Sequence, residues 1–571
     1  MEPTESAVEP ASPRTAVGVG AAGLAGLLPV AFSTSFDTAA WGPKYALMLL
    51  LAGLGLPFLA RERSGAGIAA AAFLALATVS TVLSDNPGMA LVGLWNWGTG
   101  LLLVAASVGA WAIGRKLTDR DRMLLERGLI AAGLVLVVIT LLQVSLGLAA
   151  FGILEKFGQP TALMGNPVYL SAVLALPAAL AIWHAATKSQ WVVLVAVFSM
   201  GVSLTRTRAA VAVLVLLALV QVRRNWRSIL PLAGVIGGWI AGALLVALVT
   251  LEPGGTGSAS GATVATVTAE TYVSREGPGP RIQNWLLALE PFREKPLLGA
   301  GPGRFLAATS PHRTADFSRE NPGEYYADGH NFVVEYAVTT GVLGVVALGA
   351  WLFLAARGAR GAFGLAALAG GLIHLVHPQH VAFTPLALLC LGAAAPRGMT
   401  APTSRASWER VALAGVSLGA VVLAAVFLVG QLQMRQAYLE LDETASGSAY
   451  RLLPFWPEVA QRRALVAAGE VALAPGQDSN WSTARRYFRE ATRRDPQDPR
   501  VWVTLGNFER SRGEVAAATA AYRRALSVDP WSPAALAGLA SAAEFQRDSA
   551  GQRQWERRLR QVVPETKEGA P

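Results

Sequence analysis

Long apolar runs between short polar connections most constrain what this chain can fold into. Runs such as Ala131–Leu148 and Val411–Gly430 are long enough to cross a hydrocarbon core of about 30 Å as helices. Of the 571 residues, 53% are hydrophobic and only 15% are charged, whereas about 25% are charged in a typical soluble domain. The sequence therefore predicts an all-α polytopic membrane protein with about 12–13 spans.

Thirteen runs are candidate spans by their apolar character. They lie at residues 16–32, 44–60, 66–84, 88–114, 124–148, 167–186, 190–204, 208–222, 228–251, 330–356, 361–377, 379–395 and 411–430. The first run is expected to be a retained span and not a cleaved signal, because Met1–Glu5 contains no basic side chain.

Lysine and arginine fall in alternate connections between the runs. This basic set comprises Arg61–Arg63, Arg115–Arg122, Lys188, Arg223–Arg227, Arg357–Arg360 and Arg397–Arg410. The positive-inside rule places these connections in the cytoplasm, so the long segment 252–329 and everything after Gly430 are expected to be extracytoplasmic. The net charge of +10 is then a topology signal among membrane lipids, and nucleic acid is not an expected partner.

One short connection departs from this rule, because Thr205–Arg208 puts Arg206 and Arg208 on the outer side. Two interpretations are open. Either one span is misplaced, or the two arginines are held outside because they bind an anion there.

The long segment 252–329 has two parts. Gly254–Thr268 lacks the apolar mass to fold and is expected to be mobile. From Arg281 onward, apolar side chains recur at helical spacing and predict an amphipathic helix against the bundle or the interface. The glycine-rich turn Lys295–Gly303 lacks the strand and helix of a nucleotide loop, and is not interpreted as one.

The C-terminal part, residues 431–571, repeats itself every 34 residues. Ala484, Phe488, Ala491 and Pro496 recur as Ala518, Tyr522, Ala525 and Pro530, and Pro564 follows at the same spacing. This period resembles the tetratricopeptide repeat and predicts an α-solenoid of about three units. The repeats are either a docking surface for a protein partner or acceptor, or a cap on the bundle.

Several polar residues are expected at the outer face. Arginine is always charged and grips phosphate in a fork, which suits Arg206, Arg208 and Arg281. His330, at the start of a span, can titrate near neutral pH and act as a base or donor. Alternatively, His330 caps or lines the interface and Arg281 is a solvated charge. Glu335, a turn into the span, is either functional or pairs with an arginine to hold the bundle.

A row of histidines needs separate consideration. His374, His377 and His380 are three apart and could bind a metal. Pro378 interrupts the row and no carboxylate lies close in sequence, so a polar lining of the interface or acceptor side is favoured. The single cysteine, Cys390, excludes a disulfide within the chain and a multi-cysteine metal site.

Residues 160 to 395 resemble the O-antigen ligase and polymerase superfamily of bacterial membrane glycosyltransferases. Four segments in the same order carry this resemblance: Asn166–Ala172, Thr205–Ala210, Arg281–Gly301 and His330–Gly344. Thr207, Ala209 and Thr339 depart from the family pattern, and no role is assigned to Thr339.

The resemblance implies an enzyme that transfers a glycan from an undecaprenyl-diphosphate carrier to an acceptor hydroxyl outside the bacterial cytoplasmic membrane. It implies no cofactor and no metal. The expected catalytic residues are His330, Arg281 and Arg208, and the expected substrate-binding residues are Arg206, Asn331, Asn166 and Glu335. The acceptor would be a glycan, a lipid or a protein, and the transmembrane domain would span residues 1–430.

Within the resemblance, ligase, polymerase and protein O-oligosaccharyltransferase remain alternatives. A lipid-linked glycan transporter is a different class, and predicts charges at mid-membrane or two related halves. A scaffold that acts through its repeats is a third class, but thirteen spans exceed what an anchor needs.

Overall fold

A computed structural model of the protein describes residues 13–146, 159–224, 229–250, 279–321, 325–396, 407–473 and 478–563. Over these ranges the architecture is all-α. The predicted mobile segment 254–268, the basic residues Arg227 and Arg397, and the last repeat mark, Pro564, lie outside them.

The first half of the described chain forms ten helices. They are α1 (Pro13–Leu27), α2 (Gly42–Leu59), α3 (Gly65–Val82), α4 (Pro87–Val92), α5 (Leu101–Gly114), α6 (Asp119–Leu146), α7 (Pro167–Ala185), α8 (Val192–Leu204), α9 (Arg208–Arg224) and α10 (Leu230–Thr250). The long segment that follows contains four short helices, α11 (Gly279–Leu287), α12 (Leu289–Glu294), α13 (Phe305–Thr309) and α14 (Ala315–Glu320). The bundle resumes with α15 (Phe332–Ala356), α16 (Gly361–His374), α17 (Phe383–Ala393) and α18 (Ser407–Glu440).

Seven of the described helices are long and apolar enough to cross a membrane, and five further apolar helices are 10–17 residues long. A multi-pass, all-α membrane protein is therefore confirmed. The predicted span 88–114 is divided into the short helix α4 and the longer helix α5. The chain between them is not helical, because Gly93 and Gly98 adopt positive φ angles of 78° and 62°. A buried turn separates α16 from α17 around Pro378, between the predicted spans 361–377 and 379–395.

The connections gather in two groups, as the charge alternation predicts. In one group Glu62 bonds Lys116 at 3.0 Å, and Arg122 donates to the Ala395 carbonyl at 3.0 Å. In the other group Lys44 is fully buried, and its Nζ donates to the carbonyls of Ala31, Ala40 and Leu163 at 2.6 to 2.9 Å. Polar contacts thus join the connection at 61–63 to the one at 115–122, and the latter to the residues just after α17.

The C-terminal residues form paired helices, as the 34-residue period predicts. After α19 (Glu443–Leu452), three successive pairs follow: α20 (Pro457–Leu473) with α21 (Asp478–Arg494), α22 (Pro499–Ser511) with α23 (Val515–Val528), and α24 (Pro533–Phe545) with α25 (Ser549–Val562). The repeat marks Ala484, Phe488, Ala518 and Tyr522 are at most 1% exposed. A Cβ on Gly506 would lie 2.5 Å from Tyr522 Cε1, so glycine is needed where these helices cross.

The repeats pack on the bundle. An aromatic cluster joins the two, in which the Trp456 ring lies 5.6 Å from Tyr45 and 5.3 Å from Phe427 between ring centroids. Helix α18 runs without a break through Gly430 to Glu440, past the boundary predicted between the domains. The structure therefore makes the repeats a cap on one end of the bundle, and a docking role for them stays a prediction.

Candidate active site

The predicted catalytic histidine lies on a strained turn at the start of α15. His330 has a φ of 48°, a left-handed conformation that is rare for a residue with a side chain. Its backbone N–H donates to Asp328 Oδ1 at 2.7 Å, and its Nδ1 lies 2.9 Å from the same oxygen. Such strain at a non-glycine residue is typical of functional sites, because the surrounding contacts must maintain it.

Asp328 raises the pKa of His330. Burial lowers the pKa of the imidazole, but the charge of Asp328 and its hydrogen bond to the ring more than offset this and raise the pKa of His330 above its ordinary value. The Asp328 carboxylate is 2% exposed while the His330 side chain is 21% exposed. The pair therefore has a buried orienting carboxylate and an accessible imidazole.

The predicted amphipathic helix is α11, and it is fastened to the same turn. Asn284 Nδ2 donates to the Asp328 carbonyl at 3.1 Å, and Trp285 Nε1 donates to the Gly329 carbonyl at 2.8 Å. Arg281 lies one turn earlier on this helix, close enough for its charge to act on His330. The structure therefore brings together two of the three predicted catalytic residues, His330 and Arg281.

Glu335 closes the turn from the other side. It is 3% exposed, and its Oε2 accepts a hydrogen bond from the Gly329 backbone at 2.9 Å. Its carboxylate is also close enough to interact electrostatically with Asp328. Glu335 thus bonds the backbone of the active-site turn, and a substrate contact for this residue stays a prediction.

The glycine-rich turn has a structural use. Helix α15 is interrupted at Gly341, which has a φ of 66°, and the turn inserts there. Ala300 N and Gly301 N donate to the carbonyls of Val338 and Thr339, each at 2.9 Å. A Cβ on Gly299 would lie 2.5 Å from the Thr339 carbonyl carbon, which only glycine avoids. The turn therefore fixes the segment before His330 to the helix after it.

Two predicted asparagines cap helices. Asn331 Oδ1 accepts from Val333 N at 2.8 Å at the start of α15, and Asn166 Oδ1 accepts from Val168 N at 2.9 Å at the start of α7. Both are preferred N-cap residues. Tyr169, one turn beyond Asn166, is close enough to Asp328 to interact with its charge. A substrate role for either asparagine stays a prediction.

Arg206 and Arg208 lie at the turn between α8 and α9. Arg206 has a φ of 55° and a partly buried side chain, while Arg208 is exposed at the first residue of α9. Their turn is held by Thr205 Oγ1, which donates to the Val202 carbonyl at 2.7 Å. That these two arginines act together with His330 stays a prediction.

The histidine row makes contacts within the fold. All three rings are buried. His374 Nδ1 contacts the Gly370 carbonyl at 2.7 Å and its Nε2 contacts Thr384 Oγ1 at 3.0 Å, while His380 Nδ1 accepts from Ala382 N at 3.2 Å. Within the described ranges, no group of three or more His, Cys, Asp or Glu side chains could hold a metal ion.

Sequence reasoning missed the residues that hold the site segment against the repeats. Arg304 is 3% exposed, lies 3.5 Å from Asp495 and donates to Gln497 Oε1 at 2.6 Å. Tyr325 donates to Asp529 Oδ2 at 3.0 Å. Arg304 and Tyr325 gave no signal in the sequence, because their partners are about two hundred residues away.

These observations define a multi-pass membrane protein whose polar site lies at one end of the bundle, beneath a helical-repeat cap. Two family models match the chain. Residues 191–349, which include Arg206, Arg281 and His330, match the model described as O-antigen ligase, and residues 499–542 match the model described as tetratricopeptide repeat. The chain therefore carries an O-antigen ligase domain followed by a tetratricopeptide repeat. No curated protein matches the chain.

Proposed function

We propose that this protein transfers a glycan from an undecaprenyl-diphosphate carrier to an acceptor hydroxyl, at the extracytoplasmic face of the bacterial cytoplasmic membrane. The matched family spans O-antigen ligases, polymerases and O-oligosaccharyltransferases. The observation that carries the proposal is the Asp328–His330 pair, placed beside Arg281 within the matched region.

The pair suits activation of a hydroxyl. The acceptor oxygen attacks the anomeric carbon of the donor, the bond from that carbon to the diphosphate breaks, and its electrons leave with undecaprenyl diphosphate. His330 takes the acceptor proton. Asp328 engages Nδ1 and stabilises the imidazolium that forms, so the proton is transferred through Nε2.

Negative charge builds on the departing diphosphate, and cations placed at that charge lower the barrier. Arg281 supplies one such cation beside His330. Arg208 and Arg206 supply two more on the α8–α9 turn, where the family match also extends. These guanidinium groups give the diphosphate its counter-charge, so we expect transfer to proceed without added metal.

Helix α11 also offers a surface to the lipid part of the donor. Its polar side holds the site turn, whereas Ile282 and Leu286 are 47% and 59% exposed. A helix with one anchored polar side and one exposed apolar side suits the membrane interface. The isoprenoid chain would lie along these side chains, with its diphosphate at Arg281.

The test is transfer by the purified protein in lipid nanodiscs with an undecaprenyl-diphosphate-linked glycan, a chelator and no nucleotide. Arg208→Ala, Arg281→Ala and His330→Ala should each lose at least about 100-fold in rate while remaining folded. Arg293→Ala is the matched control, because this arginine lies on the same segment but is exposed and pairs with Glu290.

Wild-type transfer with failure of all three variants supports the proposal, and the product identifies the acceptor class. Variants that transfer as fast as the wild type would contradict the proposed site. A wild type that only moves the lipid-linked glycan across a bilayer would replace the proposal with transport.

A further inference from the structure

His377 is a buried polar side chain that the fold leaves unsatisfied. It is 1% exposed, and neither of its ring nitrogens has a hydrogen-bond partner among the residues that the structure describes. Burial of an imidazole without partners is costly, and buried polar groups nearly always have them. We therefore looked for a group outside the fold that would bond the His377 ring.

The other two histidines of the row show what the local fold can provide. His374 engages the Gly370 carbonyl and Thr384, and His380 accepts a backbone N–H and packs against Tyr169 with ring centroids 4.1 Å apart. Each therefore has a hydrogen-bond partner for at least one ring nitrogen. His377 lies between them in sequence and has no hydrogen-bond partner for either ring nitrogen among the described residues. The lack of partners is therefore specific to His377 and is not shared by the other two histidines.

The position of His377 is beside the proposed site. The charges of Arg281 and His330 both act on it. It lies on the buried turn between α16 and α17, outside the region 191–349 that matches the ligase family. The fold thus adds an element beyond the family match to the site that contains His330.

The surrounding charges select the ligand. A metal ion beside His377 would be repelled by the guanidinium group of Arg281, so a cation is disfavoured there. An anionic oxygen would be attracted by the same guanidinium group, and a neutral imidazole has one N–H to donate to it. We propose that His377 is a further substrate-binding residue, whose ring N–H donates to a phosphate oxygen of the donor diphosphate. This inference rests on the proposed function.

The variants His377→Leu and His377→Gln test this role. Loss of one hydrogen bond to a charged group weakens binding about 10–100-fold. We expect His377→Leu to raise the KM for the donor and the Kd for inorganic diphosphate by that factor, with the acceptor KM unchanged and kcat changed less. His377→Gln keeps an N–H donor and should stay within about threefold of the wild type.

His374→Leu is the matched control, because this buried histidine has both nitrogens engaged by the fold. It should lower thermal stability and leave the donor KM and the diphosphate Kd unchanged. An unchanged diphosphate Kd in His377→Leu, or a change only in the acceptor KM, would overturn the inference. If His377→Leu does not fold, the Kd of His377→Asn, which also keeps an amide donor, is compared with that of His377→Val.

Failure of this inference is distinguishable from failure of the proposed function. If the wild type transfers glycan and His377→Leu binds diphosphate equally well, only the inference fails. If the wild type binds diphosphate through His377 but transfers no glycan, the proposed function fails and the binding role stands.

Discussion

Two sets of arginines in the segment 279–325 differ in what surrounds them. Arg304 and Arg313 are 3% exposed and face buried carboxylates of the repeats, Asp495 at 3.5 Å and Asp529 at 3.6 Å. Arg281 lies instead beside two imidazoles, those of His330 and His377. The first set joins two parts of the fold, and the second places positive charge where an anionic substrate would bind.

The difference shows how an arginine that stabilises the fold can be distinguished from one that binds substrate in the same segment. Removal of one partner from a buried ion pair costs about 3–5 kcal/mol, because the other charge stays buried. Removal of Arg281, by contrast, takes positive charge away from the site and should weaken the binding of an anion. Loss of Arg304 should therefore lower the stability of the protein, whereas loss of Arg281 should lower the rate of transfer by protein that is still folded.

The largest effect on rate is expected for His330→Gln. Loss of the general base should lower kcat about 1,000-fold, since proton transfer by a positioned side chain contributes about 100–10,000-fold. His312→Gln is the control, because this histidine lies in the same segment and pairs with Glu294 at 3.4 Å. A transfer rate within tenfold of the wild type for folded His330→Gln would show that another group takes the proton.

The next effect is that of Asp328→Asn. Because Asp328 raises the pKa of His330, its removal should lower that pKa. A general base is active above its pKa, so the acidic limb of the pH–rate profile should move to lower pH. The plateau rate should fall about 10–100-fold, because the imidazolium loses its carboxylate.

The pH profile of kcat/KM checks this prediction. Because a general base is active above its pKa, a lower pKa of His330 must move the acidic limb to lower pH. An acidic limb that moves to higher pH, or does not move, would contradict the prediction. Glu294→Gln is the control, because Glu294 is an exposed acid at the end of α12. This change should leave the acidic limb of the pH–rate profile unchanged.

A smaller effect is expected for Tyr325→Phe, which removes a link between the site segment and the repeats. Its hydroxyl donates to Asp529, whose carboxylate is fully buried, and burial raises the pKa of Asp529. The free energy of unfolding should fall by about 1–3 kcal/mol, and transfer should fall a few-fold as the segment loosens. Thermal unfolding and limited proteolysis would measure this, with exposed Tyr438→Phe as the control.

The smallest effect is expected for Asn331→Ser. Serine caps a helix as well as asparagine does, so transfer should stay within about twofold if the role of Asn331 is the cap. Asn331→Ala should instead lose about 1 kcal/mol of stability. A folded Asn331→Ser protein with transfer reduced more than tenfold would show that the amide also contacts substrate.

Much of the fold could be predicted because its causes are local in sequence. Apolar length predicts spans, basic residues alternate between connections, and the 34-residue period predicts the paired helices around Tyr522. The interruption of α15 at Gly341 could not be predicted, because the glycine turn that fills it comes from another part of the chain. The same holds for Arg304, whose partner Asp495 lies in the repeats.

Part of the site could also be predicted, because some of its residues stand out by type and local sequence. His330 and Arg281 were identified by residue type and by a resemblance. Asp328 stood two residues before His330, but its role depends on a turn with positive φ that the sequence does not specify. His377 was grouped with its neighbours as a candidate metal row, and only tertiary structure distinguishes it, because its unsatisfied nitrogens and nearby charges come from packing.

The most direct test compares Arg281→Gln with Arg304→Gln, measuring thermal unfolding and glycan transfer in the same nanodisc preparations. The account predicts that Arg281→Gln, while folded, loses transfer at least about 100-fold. Arg304→Gln should unfold at a lower temperature and, while folded, keep transfer within about tenfold of the wild type. Transfer by Arg281→Gln at the wild-type rate, or loss of transfer by Arg304→Gln without loss of stability, would contradict it.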